Sequence, residues 1–207
     1  MAYDGLVSRY LNRPLSRPLA RALVSTPATP NAITLTSTLI AFLAAAGIAL
    51  GWNIAGGIAI QASSIADGVD GELARLRNAS TRFGGFLDTL CDRYADAAII
   101  AGMTVYAWRF EDFSRPEFAG MLALAGALSV SYSRARIEAS LSGIPANLDA
   151  IFGLASRDVR LLIATLGTVI GQCYWTLVLL AVLSGLTVAW RLLYLKVRGI
   201  GAPAPGA

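Results

Sequence analysis

The sequence predicts an all-α integral membrane protein, with six transmembrane helices behind an N-terminal interfacial amphipathic segment. Three observations predict it. Of 207 residues, 56% are hydrophobic and only 14% are charged, whereas a soluble domain carries about 25% charge. The 45 residues from Ala22 to Ala66 hold no charge, and one spanning helix needs ~20 apolar residues. The basic residues are clustered in alternate connecting segments, as positive-inside topology requires. Mean hydropathy is +0.59.

The elements follow in chain order. Arg9, Arg13, Arg17 and Arg21 recur every four residues, with Leu11, Leu15, Leu19 and Leu23 on a neighbouring stripe. That pattern predicts a basic amphipathic segment on the cytoplasmic leaflet, residues 1–29. Pro14 and Pro18 argue against one continuous helix there. No apolar h-region with a cleavage site precedes the first span, so no cleavable signal peptide is expected. The first span is placed near Ala32–Leu50 and the second near Ile54–Leu76, separated by the turn Gly51-Trp52-Asn53. A third runs from about Gly84 to Trp108. A polar break from Arg109 to Glu117 contains Pro116, and the fourth span lies near Phe118–Leu141. A Gly/Pro/Asn-rich loop comes next. The 42-residue segment Arg157–Arg198 is too long for one ordinary span and is split at Gly171-Gln172 into spans five and six. A six-span domain thus covers residues 30–198. Residues 199–207 are Gly/Pro/Ala-rich and are expected to form a flexible tail.

With both termini inside, 15 of the 17 Lys and Arg residues fall on the cytoplasmic side. Only Arg109 and Arg115 fall outside, where Glu111, Asp112 and Glu117 outnumber them. A multi-pass protein with cytoplasmic termini is expected. The net charge of +4 is then loop charge, and nucleic acid is not an expected partner. The chain has no histidine, which excludes Ser-His-Asp catalysis and His-ligated zinc. Cys91 and Cys173 have no metal-type spacing and read as small apolar helix residues.

The chemistry gathers on carboxylates. Six of the 13 acidic residues fall between Asp67 and Asp96, in or at the end of apolar spans, where ionisable groups are functional candidates. Asp67 and Asp70 are i, i+3 on the second span. Asp88 and Asp92 are i, i+4 on the third. Two antiparallel helices would bring these four together at the cytoplasmic membrane edge. Like charges so placed need compensation, and oxygen-only ligands favour Mg²⁺, Mn²⁺ or Ca²⁺. Four carboxylates suit two divalent ions, and paired ions commonly clamp phosphate oxygens. Arg75 follows closely enough to reach a phosphate. The plainer possibility is an ion-pair cluster of the aspartates with Arg75 and Arg93.

The residues Asp67-x2-Asp70-Gly71-x2-Ala74-Arg75-x8-Gly84-x3-Asp88-x3-Asp92 resemble the signature of the CDP-alcohol phosphotransferase family at all eight positions. The Thr29-Pro30-Asn31-Ala32-Ile33-Thr34 approach to span one is also similar. The resemblance implies displacement of CMP from a CDP-linked donor by an acceptor hydroxyl, forming a phosphodiester. It implies Asp67, Asp70, Asp88 and Asp92 as ligands of two divalent cations, Mg²⁺ or Mn²⁺, with Asp92 also the general base. It places Gly71, Ala74, Arg75 and Gly84 at the CMP moiety, with Thr34 a weaker candidate. It also implies a homodimer. Ala101, Gly102, Gly120, Ala123 and Gly126 permit close helix packing, whether between copies or within one bundle.

Arg134 and Arg136 end the fourth span, and Arg157 and Arg160 open the fifth. Four arginines on the metal side suggest a polyol phosphate acceptor, since the guanidinium fork suits phosphate; ordinary loop charge is the alternative. In family members using inositol phosphates a Ser-Tyr-x-Arg stretch and a later Arg-x-x-Arg look similar. Those would place Ser131, Arg134, Arg157 and Arg160 at the acceptor phosphate. The stretch Gln61–Arg75, the Arg9–Pro14 arm and Arg157–Leu161 resemble the di-myo-inositol-phosphate-phosphate synthases, which join CDP-inositol to inositol 1-phosphate. Many of those carry a fused cytidylyltransferase domain, so here CDP-inositol is expected from a separate protein. The competing expectation is a phosphatidylinositol-phosphate synthase, with CDP-diacylglycerol as the lipid donor. A divalent-cation transporter is the alternative from another class; the acids lie at one membrane edge, and no inverted repeat is apparent.

Overall fold

The computed structural model describes residues 7–140 and 156–197. The described residues are all helical or in short connections. A π-helical turn, Ser8–Asn12, leads into α1 (Arg13–Leu23). Six longer elements follow: α2 (Pro30–Ala49), α3 (Asn53–Leu76), α4 (Arg82–Phe110), α5 (Pro116–Ser140), α6 (Arg157–Ile170) and α7 (Cys173–Val197). They coincide with the six segments expected from sequence. By length and composition, α2 and α7 are apolar enough to cross a membrane. With 14 residues, α6 rises only about 21 Å, less than a bilayer core. The loop before it and the C-terminal tail lie outside the described residues.

The helix boundaries have local causes. Thr29 caps α2 by accepting from the Ala32 N–H, with Pro30 in the first turn. Thr81 caps α4 through the Gly84 N–H at 3.0 Å. The two tight interhelical turns use left-handed glycines, Gly51 at φ 94° and Gly171 at φ 75°.

The N-terminal arm differs from its sequence expectation. The helix continues through both Pro14 and Pro18. The wider π turn immediately before Pro14 makes room for the pyrrolidine ring. A third stripe, unread in the sequence, docks the arm: Asn12, Ser16 and Ala20 are buried. Asn12 donates to Ser64 Oγ (3.0 Å) and accepts from Gln61 Nε2 (2.8 Å), both on α3. Arg77 donates to the carbonyls of Leu23, Val24, Thr26 and Ala28, tying the α1–α2 connection to the end of α3.

In the bundle, α2 packs on α3 and α4, α6 on α3, and α5 on α7. The core is lined by small side chains such as Ala41, Ala44, Ala123 and Ala127, with buried Ser37, Ser63, Thr168, Ser184 and Thr187. Large apolar side chains point outward: Leu39, Leu43, Ile58, Met121, Leu122 and Leu193 are each more than half exposed. The glycines expected to allow close packing are used inside the bundle. A Cβ on Gly102 would meet the Ala45 carbonyl at 2.4 Å, and one on Gly120 would meet Thr104 Oγ1 at 2.1 Å. Ala101 is exposed. Both cysteines are free thiols, Cys173 fully buried.

Candidate active site

Antiparallel α3 and α4 bring the signature carboxylates together. Asp67 and Asp70 stand one turn apart on α3, and Asp88 faces them from α4. One carboxylate oxygen from each lies within 4.8 Å of the others. Such an all-oxygen set fits a hard divalent cation. Asp70 is buried, and its carboxylate is held at both oxygens. Thr34 of α2 donates its hydroxyl to Oδ2, and the Gly71 N–H reaches Oδ1. Thr34 itself is 2% exposed.

Asp92 lies one turn beyond Asp88 and belongs to a second grouping. Arg157, the first residue of α6, sets Nη1 2.7 Å from Asp67 Oδ2 and 2.8 Å from Asp92 Oδ1. Its Nε lies 3.3 Å from Asp96 Oδ1. Arg160 Nη2 lies 2.7 Å from Asp96 Oδ2. Arg93 also pairs with Asp92, at 3.2 Å. The sequence left open a pairing of the aspartates with Arg75 and Arg93. Arg75 instead bonds Glu72 at 2.6 Å and stays more than half exposed, while Glu72 also holds Arg13 and Arg17 of the arm.

A cleft of ≈ 170 Å³ opens beside the carboxylates. Thr34, Gly71, Ala74, Arg75 and Gly84 all line it, together with Asn31, Asp70 and Asp88. At Gly84 a Cβ would crowd Thr81 Oγ1 (3.0 Å) and Asn31 Oδ1 (3.1 Å), so glycine keeps this wall open. A second, polar cleft of ≈ 190 Å³ lies on the arm side, where Asp67 and Asp70 meet Asn12, Arg13 and Ser16. Ser131 and Arg134 are half-buried near the C-terminal end of α5. Arg191 of α7 is buried there, donating to the Val130 carbonyl (2.6 Å) and Ser133 Oγ (2.7 Å).

The sequence reading gave Asp96 no role. Its signal was present, since Asp88, Asp92 and Asp96 continue one i, i+4 stripe. Its partners, 61 and 64 positions away, were not readable from spacing.

The family model described as CDP-alcohol phosphatidyltransferase matches residues 27–197. A Rubrobacter xylanophilus protein named bifunctional IPC transferase and DIPP synthase is 44% identical over 193 residues. That match covers 93% of this chain but only 43% of the relative. The chain thus spans less than half the length of that relative. An archaetidylinositol phosphate synthase of Methanothermobacter thermautotrophicus is 37% identical, covering 80% of this chain and 82% of its own. The fold also matches crystal structures of Mycobacterium tuberculosis phosphatidylinositol phosphate synthase. With CDP-DAG bound, the TM-score is 0.70 at 29% identity, covering 86% of this chain and 92% of that one. In complex with manganese and citrate, it is 0.73 at 27% identity, covering 92% and 90%.

Proposed function

The chain belongs to the CDP-alcohol phosphatidyltransferase family, and from that membership we propose that it displaces CMP from a CDP-linked donor with an acceptor hydroxyl, forming a phosphodiester. The observation that carries the reading is the meeting of Asp67, Asp70 and Asp88 within 4.8 Å beside a cleft lined by Gly71, Ala74, Arg75 and Gly84. In this reading the cleft holds the CMP moiety, and Thr34 contributes by fixing Asp70. Asp67, Asp70 and Asp88 hold divalent cations, Mg²⁺ or Mn²⁺, with Asp92 completing the set for two. When bound, the ions neutralise the donor pyrophosphate and stabilise the departing CMP. The relative solved with manganese supports that choice of ion.

Asp92 is the proposed general base, taking the proton of the acceptor hydroxyl at a carboxylate oxygen. No histidine competes for the role. Arg157 contacts Asp92 and Asp67 through one nitrogen. An acceptor whose phosphate pairs with Arg157 is thereby brought beside the base. Arg160, Ser131 and Arg134 complete the proposed acceptor site.

The leading substrates are CDP-inositol and inositol 1-phosphate, supported by the 44% identity to the protein named for DIPP synthesis. A second reading, with CDP-diacylglycerol as donor, is favoured by the archaetidylinositol phosphate relative, most of whose length this chain spans. It is favoured too by the mycobacterial structure that holds CDP-DAG.

The reading includes six membrane helices, α2–α7, of which α6 is too short to cross a bilayer core of about 30 Å by itself, with termini and site on the cytoplasmic side. The outward-facing leucines and the small, polar-dotted core support it, as lipid-facing bundles invert the soluble pattern. Residues 30–198 form the membrane domain and the arm lies at the leaflet surface. A homodimer is proposed on family membership; Gly102 and Gly120 are already used within the bundle.

The deciding experiment incubates the purified protein with inositol 1-phosphate, Mg²⁺ or Mn²⁺, and either CDP-inositol or CDP-diacylglycerol. CMP release is followed, and the product is identified by mass spectrometry. CMP release with CDP-inositol supports the leading reading, and release with CDP-diacylglycerol alone supports the second. Release with neither overturns both.

A further inference from the structure

Two clefts flank the carboxylate centre. Asp70, Gly71 and Arg75 line both. Asp88 lines the cleft assigned to CMP, whereas Asp67 lines the arm-side cleft of ≈ 190 Å³. Among the described residues lining the arm-side cleft, none has an aliphatic or aromatic side chain. The arm contributes Ser8, Asn12 and Ser16, and α3 contributes Ser64.

Two of these hydroxyls have hydrogen-bonding capacity to spare. Asn12 accepts from Gln61 Nε2 and donates to Ser64 Oγ at 3.0 Å. The direction of that chain leaves the Ser64 proton as its last donor. Ser16 is 2% exposed and lies against Gly68, where a Cβ would meet its Oγ at 3.3 Å. Among the described residues, the Ser16 hydroxyl has no hydrogen-bond partner. A buried hydroxyl without a partner costs free energy, and a hydroxyl-bearing ligand in this cleft would supply one.

The bonds at phosphorus indicate which part of a ligand that is. In the proposed reaction the bond from the β-phosphorus to the CMP oxygen breaks, the bond to the acceptor oxygen forms, and the acceptor proton passes to Asp92. The bond from phosphorus to the donor's own alcohol stays intact, so that alcohol lies apart from both CMP and acceptor. CMP takes the first cleft. The acceptor has to stand beside Asp92, which is not among the described lining residues of either cleft. The arm-side cleft remains for the donor's alcohol.

We infer that the arm-side cleft is the donor-alcohol subsite, where Ser16 and Ser64 select a hydroxylated alcohol, a polyol, over a diacylglycerol. The inference rests on the proposed displacement reaction. An alkyl chain in this cleft would cover buried hydroxyls without bonding them, and a site built to bond a substrate hydroxyl rejects an analogue that lacks it.

The test compares the wild type with S16A and S16A/S64A in the presence of Mg²⁺. Equilibrium binding is measured for CDP-inositol and for the ethyl ester of CDP, which keeps the phosphodiester and lacks the hydroxyls. Thermal melts check that the variants are folded; S16A removes a hydroxyl that bonds no described group. The wild type should bind CDP-inositol roughly tenfold or more tightly than the ethyl ester. S16A should weaken CDP-inositol roughly three- to tenfold and the double variant more, with the ethyl ester held within about twofold. In CMP release, KM for CDP-inositol should rise in parallel while KM for inositol 1-phosphate stays within about twofold. Equal wild-type affinity for the two CDP compounds, an unchanged CDP-inositol affinity in S16A, or equal weakening of both compounds overturns the inference. CMP release from CDP-diacylglycerol and not from CDP-inositol overturns it as well. Wild-type failure to release CMP from either donor overturns the proposed function instead, and the binding measurements then decide the inference by the same outcomes.

Discussion

Arg157 reaches from the first residue of α6 to Asp67 on α3, with Nη1 2.7 Å from Oδ2. The contact closes 90 residues of chain onto the carboxylate centre. It makes one guanidinium the bridge between the candidate cation-binding carboxylates and the proposed base, because the same nitrogen also meets Asp92. R157K keeps the charge but replaces a rigid fork by a single ammonium, which cannot contact Asp67, Asp92 and Asp96 together. The variant should lose roughly 10- to 100-fold in kcat/KM for inositol 1-phosphate, with a smaller change in donor KM. Steady-state CMP release with each substrate varied checks this.

Asp92→Asn removes the proposed proton acceptor while nearly preserving shape. Turnover should fall about 10²- to 10⁴-fold, the range of general acid–base catalysis. Binding of CDP-linked donor, read by equilibrium binding, should persist. Turnover equal to wild type would show that the base lies elsewhere.

Removal of divalent ions should abolish CMP release. Dialysis against a chelator followed by Mg²⁺ or Mn²⁺ should restore it, whereas Zn²⁺ should not match them, because the clustered donors are all carboxylate oxygens. Activity that persists after chelation would contradict a cation held by Asp67, Asp70 and Asp88.

Thr34→Val removes the hydroxyl that bonds buried Asp70 across the α2–α3 interface. Leaving a buried carboxylate oxygen short of its donor costs about 1–3 kcal/mol. A lower melting temperature and a raised donor KM are expected, with the acceptor KM little altered. Equal melting temperatures would mean that Asp70 finds another donor.

Glu111 lies at the opposite end of α4 from the carboxylates and caps α7, accepting from the backbone N–H groups of Cys173 and Tyr174. Glu111→Gln should cost about 1 kcal/mol, as loss of charge at a helix N-terminus does. The melting temperature should fall while kcat and both KM values stay near wild type. A change in KM would link this end of the bundle to the site.

Much of the arrangement was legible in the chain. The turns at Gly51 and Gly171 were readable because left-handed backbone falls to glycine at little steric cost. The grouping of Asp67, Asp70 and Asp88 followed from helical spacing and one antiparallel turn, both local quantities. The arm was half-legible. Its Arg and Leu stripes were visible, but the docking stripe Asn12, Ser16 and Ala20 is polar or small and carries no hydropathy signal. The path of the helix through Pro18, and the π turn Ser8–Asn12 before Pro14, are not forecast by propensity.

By itself, then, the sequence determined the helices and the carboxylate signature, because these depend on composition and on spacings within a few turns. Only the tertiary structure decided which carboxylates the arginines of α6 meet. Arg157 goes to three aspartates and Arg160 to Asp96. The reason is physical. A charge in a poorly hydrated interior pairs with whichever opposite charge packing brings within about 4 Å, and packing joins α6 to α3 across a separation no sequence period encodes.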